Sequence, residues 1–432
     1  DAGDVSQQTL QTAEIVHGLF EIMQRVKKDI PLYTRIMEEA CWGLDFVLKT
    51  RFGDGYRATS AGIRRWTNGL TGDMDDEKAR VHNRSFENFI MGGVEACAGA
   101  ALVSEDIDLS WKCIHAAKQD YRFALERFEE TGMEEMIMME HTYNASLSQY
   151  YAAAAWSASE IYAASKETFF AEEAVRFVDL MITCQETGEA GLPLRGFFYR
   201  DAGKQTIVHF NHQAREHLFI QALESLCRNQ PDHARRPVWE NAMKMYGEYL
   251  KTLFSYSEPY GMLPAGLHNI DEAEDRETFE HLHLMTSYES DRENYIHQVK
   301  NGIKVTDKYY IRQFPVWFSF RGNTAVLLSS GKAASLIGRY LGDDELLQIA
   351  RDQLYWISGK NPFCQSLIYG EGSNYAQQNA ALAGERVGEI PVGIQTRGNE
   401  DRPYWPMANN ATYKEVWTTS AGHWLWVLAD LY

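Results

Sequence analysis

Leu346-Leu347-Gln348-Ile349-Ala350-Arg351-Asp352-Gln353-Leu354-Tyr355-Trp356-Ile357 sets apolar side chains at 346, 350, 354 and 357, the spacing that lines one face of a helix. From 359 to 414 that period disappears into a long run rich in glycine, asparagine and aromatics. Outward from this pair of segments the pattern repeats. Helical spacing returns through Leu218, Ala222 and Leu226, and over 5–27, 32–50, 86–104, 110–129, 145–165, 168–187, 235–256, 322–341 and 415–431. Period-two alternation is rare, so helices dominate and any sheet is small. Links between the helices alternate short and long, the long ones being 51–85, 188–210, 257–321 and 359–414. Such a chain suits an all-α closed double ring, an α/α toroid, in which each inner helix packs on the next outer one. An open helical solenoid would need a fixed repeat, and none is visible. Loops this long inside a compact fold are usually functional.

The chain has 432 residues, 45% of them hydrophobic, with 11 prolines and 32 glycines and no low-complexity or single-charge run. One domain over 1–432 is expected, with a further segment upstream of Asp1. A formal charge of −18 argues against nucleic acid, which demands a basic face. Every long apolar stretch is broken by Lys, Glu or Arg, so no membrane span is expected. The six cysteines, at 41, 97, 113, 184, 227 and 364, have no metal or redox spacing and read as buried free thiols. Oligomeric state is left open.

The loops carry the chemistry. Trp66, Phe197, Phe198, Tyr199, Tyr260, Tyr375, Tyr404 and Trp405 offer flat apolar faces, and Arg65, Arg195, Arg200, Arg386 and Arg397 offer forked donors. Asp1-Ala2-Gly3-Asp4 places two carboxylates around a glycine, and Glu415 stands at the head of an aromatic-rich helix. Each acid alone reads as a helix cap or a first-turn carboxylate. Together they match glycosidic cleavage, in which one carboxyl protonates the leaving oxygen and another activates water.

These segments resemble glycoside hydrolase family 9, inverting cellulases on an (α/α)6 barrel. The resemblance rests on Asp1-Ala2-Gly3-Asp4, on Phe52-Gly53-Asp54-Gly55 followed by Trp66 and Asp73, and on Gly359-Lys360-Asn361-Pro362 running to Ser366 and Tyr369-Gly370-Glu371-Gly372. It continues to Glu415-Val416 and Ala421-Gly422. It implies that Asp4 is the base, that Asp1 helps hold the attacking water, and that Glu415 is the acid. For inversion, the acid and base stand roughly 6.5 to 9.5 Å apart. The implied partner is a carbohydrate, and the candidate contacts are Trp66, in the region that resembles the family's cleft, with His209, His212, Tyr375, Arg397 and Trp405 read from the loops themselves. A periplasmic or extracellular location follows, with its signal upstream.

Two departures matter. Where relatives carry a His-His-Arg grip on glucose, this chain reads Ser373-Asn374-Tyr375-Ala376-Gln377-Gln378-Asn379, which turns the expectation away from cellulose. The spacing from Glu415 to Ala421 is one residue short, so Glu400 and Glu385 are the reserve acids. Arginine in the loop 396–402 hints at an acidic glycan. His209, His212, His217 and Glu216 admit substrate hydrogen bonding, a metal or plain packing. No metal ligand set and no required cofactor are expected. Calcium is the ion that the resemblance admits, although the acidic run 73–77 lacks the spacing of a calcium loop. A polysaccharide lyase using His212, Tyr288 and Arg215, or a noncatalytic glycan-binding protein, are the rival readings.

Overall fold

The computed structural model describes residues 7–53, 55–61, 80–81, 85–134, 145–209, 215–283, 286–316, 322–380, 384–409 and 411–432. Among the described residues, eleven helices build the ring. Helices α1 (Thr9–Arg25), α3 (Ser85–Leu102), α5 (Leu147–Ser165), α7 (His217–Asn229), α11 (Thr324–Leu341) and α14 (Thr418–Leu431) touch in that order, and α14 returns to α1. Helices α2 (Ile30–Lys49), α4 (Ile107–Thr131), α6 (Thr168–Thr183), α8 (Arg236–Ser255) and α12 (Asp344–Ile357) each pack outside the inner helix that precedes them. The expected (α/α)6 barrel is present, and each of the eleven amphipathic stretches read from sequence is one of these helices.

Burial separates the two layers. Helix α5 buries Ala152, Ala153, Ala154 and Ala155 in succession, which leaves no face for solvent. Outer α12 buries only one stripe, Leu346, Ile349, Ala350, Gln353, Leu354, Trp356 and Ile357. The inner-to-outer links are short because caps stop and restart the helix within a few residues. Asp29 accepts from the Leu32 amide, Asp106 from that of Leu109, and Asp343, following Gly342 at φ 69°, from those of Glu345 and Leu346. Short links at one end leave every long connection at the other, where the inner helices begin.

The ring closes where α1 and α14 run side by side. A Cβ on Gly18 would stand 2.8 Å from the Gly422 carbonyl, so a methyl group at 18 would push the seam apart. Ile22 and Val26 meet Ala429 further along. Parallel packing of the two helices brings their starts to the same end.

Small sheets decorate that end. Strand β3 (Tyr56–Ala61) pairs antiparallel with β1 (Gln7–Gln8), β2 (Arg51–Gly53) and β4 (Arg80–Val81). Strand β7 (Tyr309–Arg312) lies between β5 (Gly266–Asn269) and β6 (Ile303–Lys304). The stretch 257–321, expected as a loop, holds this second sheet, a 3-10 turn over Ile270–Glu274, and helices α9 (Arg276–His283) and α10 (Tyr288–Lys300). Those helices escape a hydrophobic-period reading because they are short and charged, and their buried apolar residues are few: Phe279, Leu282, Tyr295 and Val299. All six cysteines are free, as expected, but Cys364 is exposed on the turn after Asn361-Pro362.

Candidate functional site

Glu415 lies outside the last helix. After a single turn, α13 (Ala411–Lys414), the chain runs extended through Glu415 and Val416, and α14 starts only at Thr418. The first-turn, dipole-stabilised carboxylate expected at this position is therefore corrected. Backbone pairing fixes the strand from both sides. The Asn379 amide donates to Lys414 (2.8 Å), that of Val416 to Asn379 (3.1 Å), that of Val392 to Glu415 (2.9 Å) and that of Trp417 to Ile390 (3.1 Å). The Trp417 indole donates to Glu415 Oε2 at 3.0 Å, which orients the carboxyl from its own strand.

The strand 390–394 that flanks Glu415 also crosses the start of α11, where the amides of Asn323 and Thr324 donate to the Ile394 and Val392 carbonyls. Gly393, at φ 102°, sits where a Cβ would fall 2.2 Å from Thr324 Oγ1, so only glycine fits there.

The Asn-Pro loop is built around Asn361. Its amide donates to the Trp356 and Gln365 carbonyls (2.9 and 2.8 Å), and its oxygen accepts from the Phe363 amide (3.1 Å). This loop carries Gln365, whose oxygen takes the Trp405 indole proton at 2.8 Å. Trp405 is 8% exposed, with the Lys414 ammonium 5.1 Å from its ring centre. Burial lowers the Lys414 pKa. Tyr375 is half-buried edge-on to Tyr369, whose hydroxyl donates to Glu385 (3.0 Å). Arg397 is exposed, 5.7 Å from the Tyr404 ring centre. Both reserve acids, Glu385 and Glu400, are exposed.

Asp1, Asp4, Trp66 and His212 lie outside the described residues, as does the acidic run 73–77. Phe197, Phe198 and Tyr199 belong to the core rather than to a sugar-binding face, with Phe198 stacked on Phe219 at 4.1 Å. Of the residues considered for a lyase, Arg215 is spent on buried Glu14 (2.6 and 3.1 Å) and Tyr288 donates to the Ala273 carbonyl (2.8 Å).

Beneath the inner-helix starts the ring axis is polar, which sequence reading missed. His17, His217 and His423 gather around Trp426, with ring centres 4.8 to 5.7 Å from it. His217 Nδ1 meets Ser329 Oγ at 3.0 Å. Burial depresses all three imidazoles, that of His423 to about 4, so they are neutral at neutral pH. The available signal was Glu14 and His17 at i, i+3 on the mostly apolar, buried face of α1. His209 likewise has partners that sequence did not reveal. Its Nε2 meets Glu272 Oε2 at 2.6 Å and its ring stacks on His268. Donor atoms of these three residues lie within 4.8 Å of one another, as a metal would require. No helix among the described residues is long and apolar enough to cross a membrane.

Residues 1–383 match the sequence model described as glycosyl hydrolase family 9. The chain belongs to that family, and is a glycoside hydrolase. No curated protein sequence matches it. Among solved structures, the cellulase Cel9M of C. cellulolyticum in complex with cellobiose is similar at 15% identity and TM-score 0.62, over 99% of this chain and 85% of that one. A metagenome-derived glycoside hydrolase family 9 endoglucanase is similar at 13% and 0.64, over 99% and 69%. The catalytic domain of Clostridium thermocellum CelT is similar at 13% and 0.60, over 100% and 80%. At such identities the likeness speaks for the fold.

Proposed function

We propose that this protein hydrolyses a β-linked glycan or oligosaccharide other than cellulose with inversion, Glu415 acting as acid, Asp4 as base, and Asp1 steadying the water. One observation carries the reading. Helices α1 and α14 are neighbours in the ring and start at the same end, so the segment holding Asp1 and Asp4 and the strand holding Glu415 lead into adjacent helix starts. The similar structure of the cellulase Cel9M is in complex with cellobiose, a β-linked disaccharide, which supports the bond type. The segment 373–379, with no histidine or arginine, supports a different sugar.

Proton NMR of the first product tests the stereochemistry. A β-linked substrate yields the α-anomer initially; the β-anomer would mean retention, with carboxyls roughly 5 Å apart. Asp4→Asn should abolish this turnover while substrate still binds, whereas unchanged products would mean that Asp4 has no part in it.

Trp417→Phe removes the hydrogen bond to Glu415 and keeps the ring. At about 1 kcal/mol for such a bond, kcat falls by about 5-fold. KM stays within about 2-fold, because orientation of the acid matters most in the transition state. A steady-state comparison showing the loss in KM alone would place Trp417 in sugar binding instead.

A further inference from the structure

Three metal-type donors meet at the long-loop end of the ring, from three separate segments: His209 in the chain leading to α7, His268 on β5 and Glu272 in the 3-10 turn. His268 and Glu272 are buried and His209 largely so. The two imidazoles lie parallel, 4.0 Å between centres and 7° between planes, so one ring must turn out of the stack before both can aim a nitrogen at one ion. Their surroundings hold them as an outer shell would. The Ile207 amide donates to Glu272 Oε1 (2.9 Å), and the Tyr295 hydroxyl donates to Glu272 Oε2 (3.1 Å) while meeting His268 Nδ1 at 3.2 Å.

We propose that His209, His268 and Glu272 bind one Zn2+, with water or a substrate hydroxyl in the fourth position. Two imidazoles and one carboxylate suit zinc, whereas calcium wants six to eight oxygens. Around tetrahedral zinc, donors at about 2.1 Å stand about 3.4 Å apart. The His209–Glu272 pair, at 2.6 Å, is therefore closer than an ion needs, and the whole set, within 4.8 Å, is looser. An ion would take the place of the hydrogen bond between His209 and Glu272, with His209 turning an unprotonated ring nitrogen toward it, and would draw His268 inward. Asp201 and Asp275 act with Glu272 on the charge of Arg200, so local carboxylates outnumber that cation. The ion would pin the segment of β5 and the 3-10 turn to the chain leading into α7, which stiffens one wall at the end where the inner helices begin.

The full chain, stripped with EDTA and desalted, is titrated with zinc chloride by calorimetry and its metal content measured. One equivalent binds, and at a hundredfold excess over Kd the melting temperature rises by about 3 °C. His268→Ala and Glu272→Gln lose that equivalent, while Tyr295→Phe keeps it with affinity about 10- to 100-fold weaker. Should the variants not fold, cobalt chloride added to the wild type decides: intense visible bands of four-coordinate Co2+ support the site, and a pale six-coordinate spectrum overturns it. Failure to retain stoichiometric zinc, or equal retention by wild type, His268→Ala and Glu272→Gln, also overturns it. Neither outcome decides the acid and base roles of Glu415 and Asp4, since of these residues only His209 has a place in the hydrolase reading, as a sugar contact.

Discussion

Glu415→Gln lowers kcat on a natural glycan by about 10²- to 10⁴-fold, the usual contribution of a positioned general acid. That loss corresponds to roughly 3 to 5 kcal/mol of transition-state stabilisation. The amide matches the carboxyl in shape, and its oxygen can still accept from the Trp417 indole, now 3.0 Å from Glu415 Oε2. The extended strand is held by its backbone partners Asn379 and Val392, which the substitution leaves alone. What disappears is the proton given to the departing oxygen. An aryl glycoside whose leaving group needs no protonation should therefore recover most of the rate. If both substrates slow equally, Glu415 is a structural residue, and the exposed Glu400 and Glu385 become the acids to replace.

Lys332→Met destabilises the protein by about 3 kcal/mol, because it takes the buried cation from a buried carboxylate and leaves it only the partly exposed Arg339. Lys332 Nζ lies 2.7 Å from Asp430 Oδ2 across the contact of α11 with α14, and both side chains are almost wholly buried. Ser335 donates to the same oxygen at 2.7 Å, and Arg339 forms an ion pair with Oδ1 at 2.9 Å but is partly exposed. Burial pushes the Asp430 pKa up, yet Lys332, Arg339 and the hydrogen bonds outweigh it, and the net shift is downward. A carboxyl depressed on folding stabilises above its unfolded value near 3.9, and that contribution is lost as pH falls through the folded value. Denaturant titrations should accordingly show the full deficit at pH 7 and a narrowing gap below about pH 4. At roughly 0.9 kcal/mol per kelvin for a chain of this length, the melting temperature falls by about 3 °C. A deficit that is independent of pH would mean lost packing on Trp426, whose ring centre is 4.7 Å from the ammonium, rather than a lost ion pair.

Much of the fold is legible in the chain. Eleven helices announce themselves by apolar period, since each must bury a stripe or a whole surface, and burial leaves a mark at i, i+3 and i+4. Helices α9 and α10 leave too brief a mark, Phe279 with Leu282 and Tyr295 with Val299, because they are short, charged and only partly covered. The site is legible unevenly. Glu415 and the loop around Asn361 stand out as motifs, yet the start of the last helix was misread by three residues. Trp417 and Val416 are apolar enough to continue its pattern while being held as strand. Phe197, Phe198 and Tyr199 look like sugar-binding faces because aromatic residues in loops are equally good at filling a core.

The order of residues by itself determined the helical class, the alternation of short and long links, the family, and which acids deserve trial, because these depend on local periodicity and on motifs contiguous in the chain. Only the folded structure decided that the first and last inner helices close the ring. It alone brought His17, His217 and His423 together on the axis, and His209 beside Glu272, 63 residues on. Contacts between distant segments leave no period in the sequence, and they exist only once the ring has closed around them.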